Sequence, residues 1–146
     1  LALACDFLYA AEHARFALTE ITLGTMPGAG GTMNLPQAVG ERRAREIIYT
    51  GTPFSAQEAF PWGLLNRVCA AEELLDETLT TSQRIAENAP IAVRQAKKSI
   101  AVSTQVDRHT GYMFELEAYN RMVSTEDRLE GIRAFNEKRK PDFKGR

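Results

Sequence analysis

Four glycines and a proline fall within nine residues in Gly24-Thr25-Met26-Pro27-Gly28-Ala29-Gly30-Gly31-Thr32, and this stretch restricts the chain more than any other. Glycine reaches positive φ and has no β-carbon to obstruct a close approach of backbone or ligand. Pro27 fixes φ and withholds one N–H just ahead of a helix start. The preceding Thr19-Glu20-Ile21-Thr22-Leu23 reads as the end of a strand. The segment is therefore expected to run from strand to turn to helix, with free N–H groups in the first helical turn that favour a negative neighbour. Glu20 is its only carboxylate. Two readings are open for Glu20: a solvated partner of the helix dipole, or a group held for chemistry. The glycine spacing does not give G-x-G-x-x-G, and no Lys-Ser/Thr pair closes it, so neither a dinucleotide fingerprint nor a P-loop is indicated.

Composition narrows the function classes. A chain of 146 residues with 44% hydrophobic residues suffices for a packed core. A net charge of -1 gives no electrostatic case for nucleic acid or an anionic membrane as partner. No apolar run reaches the length of a membrane span. Cys5 and Cys69 lie in apolar strings and are expected as buried thiols. His13 and His109 are isolated and no Cys-x-x-Cys occurs, so no metal site is expected.

Taken in order, Leu1 to Cys5 reads as the last turns of a helix, Phe7 to Ala10 as a buried strand and Arg15 to Leu18 as a second. A helix is expected from Ala29 to Val39, with Pro36 kinking or breaking it. Glu41 to Tyr49 follows, with Ala44, Ile47 and Ile48 inward and Gly51 as its stop. Ser55-Ala56-Gln57-Glu58 is a capping box opening a short helix. Leu64 to Val68 reads as a strand, and the remainder as helical: Leu74 to Glu87 with Leu75, Leu79 and Ile85 on one face, a helix begun by Pro90 with Val93, Ala96 and Ile100 on one face, Asp107 to Met122, and a last helix capped by Ser124 or Thr125. Leu129, Ile132 and Phe135 give that last helix an apolar face, Glu126 and Asp127 fill its electropositive first turn, and Pro141 is expected to stop it before a polar tail, Asp142 to Arg146.

Glu20 through Thr32, continued by Leu35, Val39-Gly40 and Arg43, resembles the enoyl-CoA hydratase/isomerase (crotonase) family. The resemblance extends over Cys5-Asp6, Ala56, Glu58-Ala59, Trp62-Gly63-Leu64, Asn88-Ala89-Pro90, Glu130-Gly131, Ala134-Phe135 and Glu137-Lys138-Arg139-Lys140-Pro141. Pro61 departs from the family's usual helix former. The resemblance begins partway through the family's pattern, and Leu1-Ala2-Leu3 opens without methionine as if inside a helix. The chain is therefore expected to be the C-terminal part of such a protein, whose N-terminal half is missing.

The resemblance implies an α/β fold of the crotonase-like spiral type. Residues 1–70 would form the end of the ββα spiral and residues 71–146 a helical trimerisation region, giving homotrimers or hexamers as paired trimers. It implies an enoyl-CoA hydratase that adds water across the α,β double bond of an enoyl-CoA thioester, in the cytoplasm, or in the mitochondrial matrix of a eukaryote. An isomerase, decarboxylase or hydrolase is the alternative within the family, and an RNA-binding or assembly role the alternative outside it. No cofactor is implied, since coenzyme A is part of the acyl-CoA substrate. Glu20 matches the second of two catalytic glutamates; the first, and the oxyanion-hole amides, match positions before Leu1, so the fragment alone is expected to be inactive. Gly28 matches a glycine whose N–H places the water, or is an ordinary helix-start glycine. Leu23, Met26 and Pro27 would wall the acyl pocket, or are ordinary core. Tyr119 matches an aromatic position near the adenine, and Lys138 a lysine that meets a CoA phosphate in the neighbouring subunit; the alternatives are packing for Tyr119 and a solvated helix end for Lys138. Lys97-Lys98 reads as a solvated face.

Overall fold

In the computed structural model, which describes residues 1–146, the chain opens with a 3-10 turn at Ala2–Ala4 and enters β1, Tyr9–Ala11. Then come β2, Arg15–Phe16, and a second 3-10 turn, Glu20–Leu23. Two helices follow, α1, Gly31–Val39, and α2, Glu41–Thr50. β3, Phe54–Ser55, leads into α3, Ala56–Ala59, and β4 is Arg67–Cys69. The molecule divides into two compact units, Leu1–Thr78 and Leu79–Arg146. Helix α4, Leu74–Ala86, runs through the division, and α5, Pro90–Ser103, α6, Arg108–Val123, and α7, Glu126–Glu137, complete the second unit.

The adjacent strands do not pair with each other. The turn closed by Ala14 N–H on the Ala11 carbonyl (2.9 Å) separates them. β1 pairs in parallel with β4, Tyr9 opposite Arg67 and Ala11 opposite Cys69. β2 pairs antiparallel with β3, Arg15 opposite Ser55 and Phe16 opposite Phe54. Asn66 extends the first ladder: its Oδ1 accepts from Leu8 N–H (2.9 Å) and its own N–H donates to Leu8 O (2.8 Å). The strand expected at Leu64 to Val68 is therefore displaced toward Cys69 and joins β1, while Leu64 and Leu65 are buried in the core.

That core gathers Ala10, Leu35, Ala44, Ile47, Phe54 and Ala56, among others. Leu35 is 0% exposed and anchors α1. Phe54 stacks on Phe16 (centroids 5.7 Å) and tilts against Trp62 (5.2 Å), and the Arg43 guanidinium covers the outer face of Trp62 at 4.6 Å. Helix α1 carries Pro36 in its interior without breaking: it starts two residues later than expected and runs on to Val39. Gly40 N–H closes it on the Pro36 carbonyl at 2.9 Å. The capping box at Ser55 forms in full, with Glu58 N–H donating to Ser55 Oγ (3.2 Å) and Ser55 N–H to Glu58 Oε2 (2.8 Å). These bonds to the ionised carboxylate lower the Glu58 pKa.

In the second unit α5 and α6 pack together as a helical hairpin joined by Thr104 to Asp107. Asp107 caps α6, accepting from His109 N–H (3.0 Å) and Thr110 N–H (3.1 Å). Thr125 caps α7 by accepting from Arg128 N–H (3.2 Å). Helix α7 ends at Glu137, before Pro141, because Lys138 adopts the left-handed conformation (φ 55°) and its N–H turns back to the Phe135 carbonyl at 3.2 Å.

One expectation, the burial of Cys5, is corrected here, and two others are made more specific. The face of α7 formed by Leu129, Ile132 and Phe135 is exposed, Phe135 to 83%, as are Leu75 and Leu79 on α4 and Ile100 on α5. Amphipathic spacing identified the helices, but the side chains buried on α6 and α7 are Ala118, Asp127 and Ala134. Cys5 is exposed because it follows the opening 3-10 turn, while Cys69 is buried. Asp142 to Arg146 is no free tail: it lies back along α7, hydrogen-bonded to that helix. No helix is long and apolar enough to cross a membrane.

Candidate functional site

Glu20 stands at the first position of a 3-10 turn rather than at a strand end. Its backbone is fixed because its carbonyl accepts Thr25 N–H at 3.2 Å, and Gly24, left-handed at φ 75°, closes the turn on the Ile21 carbonyl at 3.2 Å. The C-terminal end of α2 supports the turn from behind. Gly51, left-handed at φ 61°, approaches so closely that a β-carbon there would lie 3.0 Å from Thr22 Cγ2 and 3.4 Å from Ile21 Cγ2.

The Glu20 side chain lines a cavity of about 390 Å³, and its Oε2 is buried with no hydrogen-bond partner. A buried carboxylate oxygen without a donor is costly to fold, and such atoms concentrate where a ligand or a proton transfer supplies the missing partner. Leu3, Leu8, Phe16, Leu18, Leu35 and Leu64 give the cavity apolar lining, and Arg15 and Asn34 add polar side chains. Leu35 and Leu64 also belong to the core, which holds that lining in place.

The start of α1 supplies the remaining wall, through Pro27, Ala29, Gly30, Gly31 and Asn34. The amides of the first turn of α1 are not the free donors that the glycine-rich pattern suggests. Gly31 and Thr32 N–H donate to the Pro27 carbonyl (3.1 and 3.4 Å), and Met33 and Asn34 N–H to the Gly30 carbonyl (3.2 and 2.9 Å). The glycines instead allow close packing: a β-carbon on Gly31 would lie 2.7 Å from both Leu18 Cδ2 and Pro27 Cβ.

The structure brings Glu20 and Pro27 into one cavity and leaves Leu23 and Gly28 outside its lining. Leu23 is 79% exposed, and the Gly28 N–H donates to the Met26 carbonyl at 2.7 Å. Asn34 was not marked by the sequence. Its Nδ2 would lie 3.1 Å from a β-carbon on Gly30, and its place one turn into α1 is the only sequence cue to a cavity-lining polar side chain.

The other two site candidates lie in the second unit. Tyr119, half exposed, lines a groove of about 490 Å³ between α5 and α6 with Ala96, Ile100, Leu116 and Met122. Lys138 occupies the reversal after α7. Of the three basic residues there, Arg139 pairs with Glu130 (2.5 Å) and Glu137 (2.6 Å) and Lys140 with Glu87 (2.9 Å), whereas Lys138 is exposed with no ion pair.

Comparison with known proteins accounts for this arrangement. The model of the family "Enoyl-CoA hydratase/isomerase" matches residues 1–146. The chain belongs to that family. It is 42% identical over 146 residues to the 2,3-dehydroadipyl-CoA hydratase of Escherichia coli K12, covering 100% of this chain and 57% of the relative. It is 41% identical over 144 residues to the mitochondrial enoyl-CoA hydratase of Pongo abelii, covering 99% of this chain and 50% of the relative. The crystal structure of an enoyl-CoA hydratase from Bacillus anthracis superposes with a TM-score of 0.97 at 51% identity, over 99% of this chain and 56% of that one. The fold is accordingly a portion of the α/β crotonase-like fold, and the chain spans about half the length of the relatives it matches. A carnitinyl-CoA dehydratase from Salmonella, 39% identical over 150 residues, shows that family members of comparable similarity carry different names for their reactions.

Proposed function

We propose that the protein carrying this chain is an enoyl-CoA hydratase in which Glu20 handles the proton delivered to C2. Hydration adds the oxygen of water to C3 of an α,β-unsaturated thioester and a proton to C2. The attacking water loses a proton to a carboxylate and C2 gains one from a carboxylic acid. A carboxyl group held within hydrogen-bond reach of the α-carbon and the water performs this transfer. The observation that supports the role is the buried, unpartnered Oε2 of Glu20, whose side chain lines a cavity of about 390 Å³. The apolar part of the lining suits an acyl chain, and membership of a family acting on CoA thioesters supports an acyl-CoA substrate. In this reading coenzyme A belongs to the substrate, and no separate cofactor takes part.

Pro27 walls the acyl side of the cavity. The reading keeps Leu23 and Gly28 as substrate-side residues beyond the lining of this cavity, and assigns Tyr119 and the unpaired Lys138 to the nucleotide end of CoA bound by a neighbouring subunit. The exposed apolar faces of α4, α5 and α7 support assembly through residues 71–146 into trimers. Isomerisation of the enoyl double bond is the second reading, supported by the family's joint description.

The test is Glu20→Gln in the protein carrying this chain. Hydration of a short enoyl-CoA is expected to fall by at least about a hundredfold, the usual scale of acid–base catalysis. Near-normal turnover in a folded variant removes Glu20 from the reaction. Loss of isomerisation, with no hydration by the parent protein, selects the second reading.

A further inference from the structure

After the reversal at Lys138 the chain runs back beside α7 for its whole length. Twelve residues of helix span about 18 Å, and the eight residues from Lys138 to Gly145 cover that distance when extended. Four carboxylates of α7 bind this returning segment: Glu126 and Glu137 through the side chains of Arg146 and Arg139, and Asp127 and Glu130 also through its main chain. Asp127, 3% exposed in the first turn of α7, accepts Lys144 N–H on Oδ1 (2.6 Å) and Gly145 N–H on Oδ2 (2.8 Å). Its own N–H donates to the Arg146 carbonyl at 3.2 Å. One turn on, Glu130 accepts Asp142 N–H (3.0 Å) and both Arg139 Nη1 (2.5 Å) and Nη2 (3.0 Å). The Phe143 ring covers Gly131, where a β-carbon would lie 3.5 Å from Cε1, and Gly145 rests on the Pro90 ring at a similar separation.

This strap has two effects at the reversal. Arg139 and Lys140 are neutralised by Glu130, Glu137 and Glu87, so Lys138 alone presents a free charge. Lys138 is also the one non-glycine residue with positive φ, a conformation that L-residues leave unless their surroundings hold them. The reversal is closed locally by Lys138 N–H on the Phe135 carbonyl (3.2 Å) and Arg139 N–H on the Ala134 carbonyl (3.0 Å), and the strap holds the residues that follow, through Arg139, Asp142, Lys144 and Gly145.

We propose that Asp127 is a positioning residue for the nucleotide end of acyl-CoA, acting through the strap to fix the backbone of Lys138. This rests on the reading of Lys138 given above. A buried carboxylate that binds main-chain N–H groups 17 and 18 residues ahead holds the last residues of the chain irrespective of their side chains. Its replacement by Asn keeps the shape and removes one acceptor, leaving an amide NH₂ facing an N–H.

The experiment compares Asp127→Asn, a deletion of residues 142–146, Lys138→Ala and the double variant Asp127→Asn/Lys138→Ala in the protein carrying this chain. Two substrates are used, a short enoyl-CoA and the matching enoyl-pantetheine thioester, which lacks the nucleotide. Hydrogen exchange at the Lys144 and Gly145 amides reports strap docking in the point variants. The deletion leaves Asp127 free to hydrate, which covers the case in which the Asn variant does not fold.

Asp127→Asn and the deletion are expected to raise KM for enoyl-CoA about fivefold, with kcat within about twofold and enoyl-pantetheine unaffected, the pattern of lost uniform binding. The Asn variant is expected to exchange Lys144 and Gly145 at least about tenfold faster. The double variant is expected to match Lys138→Ala, as for two residues acting on one contact. Fast exchange with unchanged KM overturns the proposal, as do equal losses on both substrates or additive effects in the double variant. Unchanged KM in Lys138→Ala alone overturns the reading of Lys138 instead, and a nucleotide-dependent loss persisting in Asp127→Asn then separates the two failures.

Discussion

Gly31 and Pro27 meet so closely that a β-carbon on Gly31 would lie 2.7 Å from Pro27 Cβ, while the Pro27 carbonyl accepts the Gly31 N–H at 3.1 Å. The contact folds the entry of α1 onto the residue that walls the Glu20 cavity. Gly31→Ala must displace Pro27 or Leu18, neither of which is the end of a long flexible side chain. A loss of about 1–3 kcal/mol is expected from overpacking, measured by denaturant unfolding. A shift in acyl-chain preference should accompany it. An alanine variant with unchanged stability would mean that the turn yields freely.

Gly51 and Gly24 separate backbone strain from support of the Glu20 turn. Both are left-handed, at φ 61° and 75°, but only a β-carbon on Gly51 meets the turn, whereas none is approached within 4 Å at Gly24. Alanine at either position should cost about 1–2 kcal/mol in backbone conformation. Gly51→Ala should additionally lower turnover by displacing Thr22 and Ile21. Equal activities at equal stability loss would show that α2 does not support the turn.

The capping box at the start of α3 is a local device with a local consequence. Ser55→Ala removes the acceptor for Glu58 N–H and one of the Ser55 donors to the Glu58 carboxylate. A loss of about 1 kcal/mol is expected in thermal or chemical unfolding, the usual scale for a cap. Because Phe54 next door carries the aromatic cluster, a much larger loss would indicate that the cap sets the β2–β3 register.

Glu130 gives the strap a defined response to acid. The bidentate Arg139 guanidinium, and then the Asp142 N–H, lower its pKa from 4.5 to about 2. A folded-state pKa below the unfolded one means that the contribution is fully present above about 4.5 and is lost as the pH falls toward 2. The stability difference between the parent protein and Glu130→Gln should therefore be constant near neutrality and shrink across that acid range. A difference that grows on acidification would contradict the assignment.

The devices legible in the sequence are those whose partners are near neighbours. Ser55 with Glu58, Pro90 at a helix start and Gly51 at a helix end all act within four residues and form as expected, and of the two cap candidates Ser124 and Thr125 it is Thr125 that caps α7. Glu20 was legible as a candidate because it is the only carboxylate beside the glycines, but its 3-10 turn and its unpartnered oxygen were not. Asp127 read as a dipole partner because its true partners lie 17 and 18 residues away. The apolar periodicity of α7 identified a helix without specifying the side toward which Leu129, Ile132 and Phe135 would turn. The pairing of β1 with β4 was illegible for the same reason of distance.

That pairing also bears on the speed of folding. Leu8 and Asn66, which close the start of the ladder, stand 58 residues apart. Joining the ends of a flexible loop of that length carries a length-dependent entropy of roughly 3–4 kcal/mol before either strand gains a bond. The β1–β4 ladder therefore belongs late in the folding order, after α1 and α2 have formed inside the loop and drawn its ends together. Substitutions that weaken those helices should therefore act mainly on the folding rate, slowing it by up to their full loss of equilibrium stability, and leave unfolding little changed.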